Sequence, residues 1–228
     1  MKITTRPKMR IKFLSIMLIV STLGLAQSRD FESWTSLGLQ YKHKSVWTFS
    51  LKEQMRLDKN SSEIKGLLTQ LGAKYKLNDH FELVSALRFI NKNDNEGKKQ
   101  GYEHFIRYQL GLKYKYKFDR LALSSVVRVQ HRKAFEDKTD TKDDLRLKLE
   151  ADYNISNWKF DPEVSGELFN SLDTSADRPT SYRLSIGTSF KLANHGKIAL
   201  YYLYEKELKA LEPATADVLS LKYTYSIQ

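Results

Sequence analysis

Residues 101–132, GYEHFIRYQLGLKYKYKFDRLALSSVVRVQHR, decide how this chain is read. From Tyr102 to Phe118 the even positions are Tyr, His, Ile, Tyr, Leu, Leu, Tyr, Tyr and Phe. The odd positions between them include Glu103, Arg107, Gln109, Lys113, Lys115 and Lys117. After Asp119-Arg120 the apolar set moves to Leu121, Leu123, Val127 and Val129, with Ser124, Arg128, Gln130 and Arg132 opposite. Side chains on a strand alternate faces with period two, so the stretch predicts two long strands joined by a tight turn. One face is apolar with aromatic tips and the other is charged. A strand crossing a bilayer needs about 9–11 tilted residues, and an apolar face turned outward around a polar interior marks a transmembrane barrel.

The same alternation extends to both ends of the chain. Leu37, Leu39 and Tyr41 lead through Lys44-Ser45 into Trp47, Phe49, Leu51, Met55 and Leu57, with Glu53 breaking the apolar face. A local bulge or an ion pair could account for Glu53. Leu67 to Leu77 turns at Asn78-Asp79, a favoured turn pair, into Phe81, Leu83, Leu87 and Phe89. Leu145 to Ile155 separates its two faces most cleanly, and Ser156-Asn157 turns it into Trp158, Phe160, Val164 and Leu168, with Pro162 marking a strand end or distortion. Tyr182 to Phe190, Ile198 to Tyr204 and Leu219 to Ile227 complete the pattern. Polar connections at 91–100, 133–142, 170–180 and 206–216 alternate with tight turns, as outer loops alternate with periplasmic turns in barrels. The fold expected is all-β, an antiparallel transmembrane β-barrel of about 10–12 strands. The direct count is eleven, whereas bacterial barrels usually have an even number. Either one segment is miscounted or the weak first strand is not a full member of the wall.

Ahead of the strands, Lys2, Arg6, Lys8, Arg10 and Lys12 precede the apolar run Phe13–Leu25, and Gly24 and Ala26 supply small residues before a cleavage point. This predicts a signal peptide over residues 1–26 and a mature barrel domain over 27–228. The chain has no cysteine, which removes disulfides, thiolate metal sites and an acylated cysteine anchor. Without the leader's five basic residues, the formal charge of +11 falls to +6. The remaining lysines and arginines are interleaved with acids rather than gathered in a stripe, so nucleic acid is not an expected partner. Membrane lipids are, in the outer membrane of a Gram-negative bacterium. The sequence leaves the oligomeric state open.

W-T-S-L around Trp34, Glu53-Gln54 with Arg56-Leu57, and Tyr-Lys-Leu-Asn at Tyr75 to Asn78 resemble an uncharacterised family of Gram-negative exported proteins. That family carries a domain of unknown function and is taken to consist of outer-membrane β-barrels. The resemblance implies the same fold and brings no activity or functional residues with it.

Two sets of residues are candidates for function. Tyr41, Tyr75, Tyr116, Tyr153 and Phe190 precede short turns, Trp47, Phe81 and Trp158 follow them, and Tyr223 and Tyr225 lie in the last strand. These suit a membrane-interface girdle, because an amphipathic ring fits the headgroup level. Arg56, Arg88, Arg107, Arg128, Arg146 and Arg183 take the inward parity together with Glu82, Glu103, Glu150, Asp152, Glu163 and Glu167. They could line a small aqueous pore or form a ladder of salt bridges filling a narrow barrel, and the ladder is the simpler reading. No cofactor and no metal motif is found. An enzyme is not expected, although a lipid-modifying one stays open: His104 and His131 share the outward parity, but Ser125 is six residues from His131, roughly 20 Å along a strand. The sequence therefore predicts an outer-membrane barrel of unassigned activity with a narrow or occluded lumen, with a porin-like small-solute channel and a lipid-modifying enzyme as alternatives.

Overall fold

The computed structural model describes residues 29–94, 101–137, 140–172, 180–192, 195–208 and 213–227. The expected signal peptide lies outside the described residues. Eleven strands follow one another: β1 Arg29–His43, β2 Trp47–Asp58, β3 Glu63–Lys76, β4 Phe81–Asp94, β5 Gly101–Phe118, β6 Leu121–Ala134, β7 Thr141–Tyr153, β8 Asp161–Ser171, β9 Ser181–Leu192, β10 Gly196–Glu207 and β11 Thr215–Ile227. Each is hydrogen-bonded to its sequence neighbours, and β1 joins β11 to close the barrel.

The strand count of eleven stands, and it corrects the expectation of a wholly antiparallel wall. In an up-and-down meander successive strands reverse direction, so the first and eleventh run the same way and must pair in parallel. They do so over a long register, from Arg29 opposite Thr215 to Tyr41 opposite Ile227. The first strand is thus a full member, paired with β2 from Ser33–Leu57 to His43–Trp47 as well. At the long-loop end of this seam the Arg29 guanidinium pairs with Asp217 of β11, and the Tyr202 hydroxyl of β10 donates to the same carboxylate.

Turn chemistry follows the sequence closely. Lys44 and Ser45 both adopt the left-handed region, with φ of 49° and 58°, the conformation that matches a two-strand hairpin's twist. Asn78 Oδ1 accepts from the backbone N–H groups of His80 at 2.9 Å and Phe81 at 2.8 Å, closing the β3–β4 turn. The β7–β8 connection is longer than expected. Trp158 and Phe160 lie in residues 154–160 rather than in a strand, and β8 begins at Asp161. Pro162 is then its second residue, near a strand start, where proline is tolerated in a sheet.

Burial is inverted relative to a water-soluble sheet protein. Large apolar side chains cover the outer wall, with Leu110 63 % exposed and Phe49, Leu71, Val129, Leu149 and Ile186 exposed beside it. The buried positions are largely polar: Glu32, Gln54, Gln109, Gln130, Asp144, Arg146 and Glu167 lie inside with a few apolar residues such as Leu68 and the fully enclosed Val218. Glu53 remains an outward exception. The bulge in this region lies at the Arg56/Leu57 step against β3, not at Glu53. Among the described residues neither a bulge nor an ion pair explains Glu53; its carboxylate accepts from the Thr69 hydroxyl at 2.8 Å.

Candidate functional site

Contacts that skip a strand identify the inner face, because curvature brings inner side chains together and splays outer ones apart. Lys65 of β3 meets Glu32 of β1 at 2.5 Å, and Lys113 of β5 meets Glu150 of β7 at 3.8 Å. Tyr201 of β10 donates to Glu163 of β8 at 2.7 Å. Tyr201 can cross the intervening strand because Gly187 lies beneath it; a Cβ there would run into the tyrosine ring and the Leu200 carbonyl. Arg183 of β9 lies over the Trp34 ring of β1, 5.1 Å from its centroid.

Among the candidate luminal residues, one group forms a continuous chain. Arg146 donates through Nε and Nη2 to Glu167 at 3.1 and 2.6 Å and through Nη1 to Gln130 at 3.1 Å. Arg183 donates to the other Glu167 oxygen at 3.4 Å and through Nη2 to Glu205 at 2.7 Å. Cation and carboxylate therefore alternate along β7, β8, β9 and β10, the arrangement that repays burial of ionic groups. Glu150 is held by Lys148 and lies 3.8 Å from Lys113.

Aromatic side chains line part of the same interior. Trp34, 6 % exposed, has the Arg56 guanidinium on its ring at 3.8 Å and Arg183 at 5.1 Å, while its indole N–H donates to Glu32 at 2.8 Å. Phe169 takes Arg146 at 4.4 Å and Arg183 at 5.1 Å. Phe105 takes Arg132 at 4.5 Å. Stacked guanidinium groups of this kind are favourable when withdrawn from water. The sequence reading missed Trp34, Phe169 and Glu205 as luminal residues. Parity was the available signal, since Trp34 shares the face of Ser36 and Gln40.

Arg88, Arg107 and Arg128 share the inner face but join no such chain. Arg107 sits in register between Arg88 on β4 and Arg132 on β6, and Arg128 sits opposite Arg146. Arg88 is hydrogen-bonded to the amide oxygen of Gln70, and Arg132 reaches Asp140 at 3.0 Å. Among the described residues, Arg107 and Arg128 have no carboxylate within ion-pair distance, and Arg107 Nε is buried without a hydrogen-bond partner. Lys74, Arg88, Lys113, Arg128, Lys148 and Gln109 line a luminal cavity of about 210 Å³ together with Glu150.

The expected girdle residues gather at the short-turn end. Trp47 packs against Tyr75 at 4.6 Å and Phe49 at 5.7 Å; Phe160 bridges Trp158 at 5.8 Å and Phe190 at 5.1 Å. Phe81 packs on Tyr114 at 5.2 Å, Tyr116 on His80 at 6.4 Å, and Tyr225 on His195 at 5.7 Å. Tyr41 and Tyr153 are exposed on the outer face, and Tyr223 is half-buried there. A second band at the long-loop end, with Tyr182 and Tyr204 in contact at 6.1 Å and Tyr102 and Phe135 exposed, was not singled out from the sequence.

His131 pairs on the outer wall with Asp143 at 2.7 Å and stacks with Tyr108 at 6.4 Å, while Ser125 lies opposite Tyr114 and Leu149. Among the described residues no cluster of His, Asp and Glu has the makings of a metal site.

The profile of a family described as protein of unknown function (DUF2490) matches residues 31–210, and the chain belongs to that family. A search of curated proteins finds no match.

Proposed function

We propose that this family member is an outer-membrane β-barrel of a Gram-negative bacterium, exported by a signal peptide cleaved after Ala26, whose apolar outer wall is solvated by lipid. The single observation that supports this reading is the inversion of burial: Leu, Ile, Val and aromatic side chains are exposed around the barrel while arginines and glutamates are enclosed. In water such a wall would be an aggregation surface; in hydrocarbon it needs no partner. The two aromatic bands lie where headgroups would meet a lipid belt. Heat-modifiable migration on a gel tests the reading. The folded chain should run at a different apparent mass from the boiled chain and should need an amphiphile to stay monodisperse. A chain that is monodisperse in plain buffer overturns it.

The lumen, on this reading, is polar and narrow, held by the Arg146–Glu167–Arg183–Glu205 chain and by Trp34 between two guanidinium groups. The second reading, a narrow channel for small solutes, is favoured by the cavity of about 210 Å³ beside that filled region. Planar-bilayer conductance separates the two. A closed wall gives no steady current, and a channel gives steps that grow when Trp34 is replaced by Ala. Neither reading assigns a catalytic step.

A further inference from the structure

The interior is electrically lopsided. On β7 to β10 the inward carboxylates Asp144, Glu150, Asp152, Glu163, Glu167 and Glu205 share their face with Arg146, Lys148, Arg183 and Lys197; Asp144, Glu150, Glu167 and Glu205 are held in ion pairs, and Asp152 stands opposite Glu163. On β2 to β6 the inward carboxylates stand at the two rims: Glu82, held by Lys115 near the short turns, and, near the long loops, Glu103, 3.3 Å from Lys92, and Asp58 at the end of β2. Between them lie Lys52, Lys74, Arg88, Arg107 and Arg128, none of which has a carboxylate within ion-pair distance among the described residues. The sheet register makes this worse, setting Arg88, Arg107 and Arg132 side by side. Like charges directly opposite on neighbouring strands repel, and a buried cation without a counter-charge is costly.

A second, independent observation lies on the same wall. Gln109 is 7 % exposed, lines the cavity, and its Nε2 is buried without an acceptor. An amide N–H₂ in this state lacks an acceptor, as Arg107 Nε two residues before it does, and a charged oxygen is the strongest acceptor either could take. Among the described residues Glu150 is the one carboxylate that lines the cavity, and Lys148 and Lys113 both lie against it.

We propose that the β2–β6 wall of the lumen is a binding site for a small multivalent oxyanion of the phosphate class, held by Arg88, Arg128, Lys74 and the Gln109 amide. The cavity's volume is the share of about seven waters, room for one such ion and part of its hydration shell. A tetrahedral oxyanion can take guanidinium donors in pairs and still offer an oxygen to Gln109. The proposal rests on the closed barrel alone and holds whether or not the outer wall meets lipid.

The test uses the full chain folded in detergent, with unfolding midpoints read at constant ionic strength in chloride, succinate and phosphate. Phosphate should raise the midpoint by about 5–10 °C at a hundred times its dissociation constant. Succinate should leave it near the chloride value. Arg128→Gln and Gln109→Glu should each weaken the phosphate effect at least tenfold in apparent affinity. They should also unfold above the wild-type midpoint in chloride, because one relieves repulsion and the other supplies an internal counter-charge. That rise separates loss of a site from loss of the fold, and Lys159→Gln in the β7–β8 connection should behave as wild type. Equal midpoints in phosphate and chloride overturn the site, and an equal effect of succinate overturns the phosphate class. A phosphate effect that survives in both luminal variants overturns the assignment to these residues. Heat-modifiable migration of the same samples reports separately on the membrane reading.

Discussion

The two inner walls of the barrel are built from the same pleat and treat charge in opposite ways. Along β7 to β10, guanidinium and carboxylate alternate, so Arg146 at 8 % exposure is enclosed by Glu167, Gln130 and the Phe169 ring. Along β2 to β6, Arg107 lies between two further arginines and Arg128 opposite another. The first wall pairs most of its carboxylates with cations, Asp152 opposite Glu163 excepted; the second carries cations that no carboxylate of the described residues meets. An inward-facing arginine is thus not one kind of object, and its worth depends on what the neighbouring strand brings into register.

The largest expected effect comes from removing a charge on the completed wall. Glu167→Ala leaves Arg146 and Arg183 facing each other without their shared carboxylate and should cost about 3–5 kcal/mol in detergent unfolding, whereas Arg128→Gln on the neighbouring strand β6 should stabilise. Equal losses at both sites would erase the distinction. Trp34→Ala should cost about 3 kcal/mol, since it removes a buried ring together with the seat of two guanidinium groups, and chemical denaturation measures it. Gly187→Ala should cost about 2 kcal/mol by displacing Tyr201, and Tyr201→Phe should lose less, because it keeps the ring and gives up only the bond to Glu163. The smallest effect sits beyond the strands, at the β3–β4 turn, where a carboxylate does serve the basic side. Lys76 at 2.7 Å holds the Asp79 carboxyl below the usual aspartate range. Its contribution is present above the ordinary aspartate pKa and is lost as the pH falls through the lowered value. The pair is open to solvent, so an NMR titration of Asp79 should show its pKa returning toward normal in Lys76→Gln or in high salt, with no measurable change in unfolding.

Much of the wall was legible along the chain because strand parity is a local property. Tyr102 to Phe118 gave its two faces without reference to any partner, and the polar runs gave the loops. Trp158 and Phe160 misled because aromatic alternation continued past the strand into a connection that carries rings of its own. The seam leaves no local mark, since the pairing of Arg29 with Thr215 joins the two ends of the meander, and it follows only from taking the count of eleven at face value. The charged interior was legible as composition and not as chemistry. That Arg107 points inward follows from counting by twos, but that it meets Arg88 and Arg132 rather than a carboxylate depends on two registers set by turns many residues away.

The parallel junction of β1 and β11 carries a geometric consequence. Since both strands run from the long-loop rim toward the short-turn rim, Arg29 and Ile227 stand at opposite mouths of the cylinder. A reporter fused ahead of Arg29 and another placed after Ile227 would occupy two different compartments across any sheet that the cylinder pierces. A pair of such labels, accessible one at a time to an impermeant reagent, reads out the odd number of strands directly.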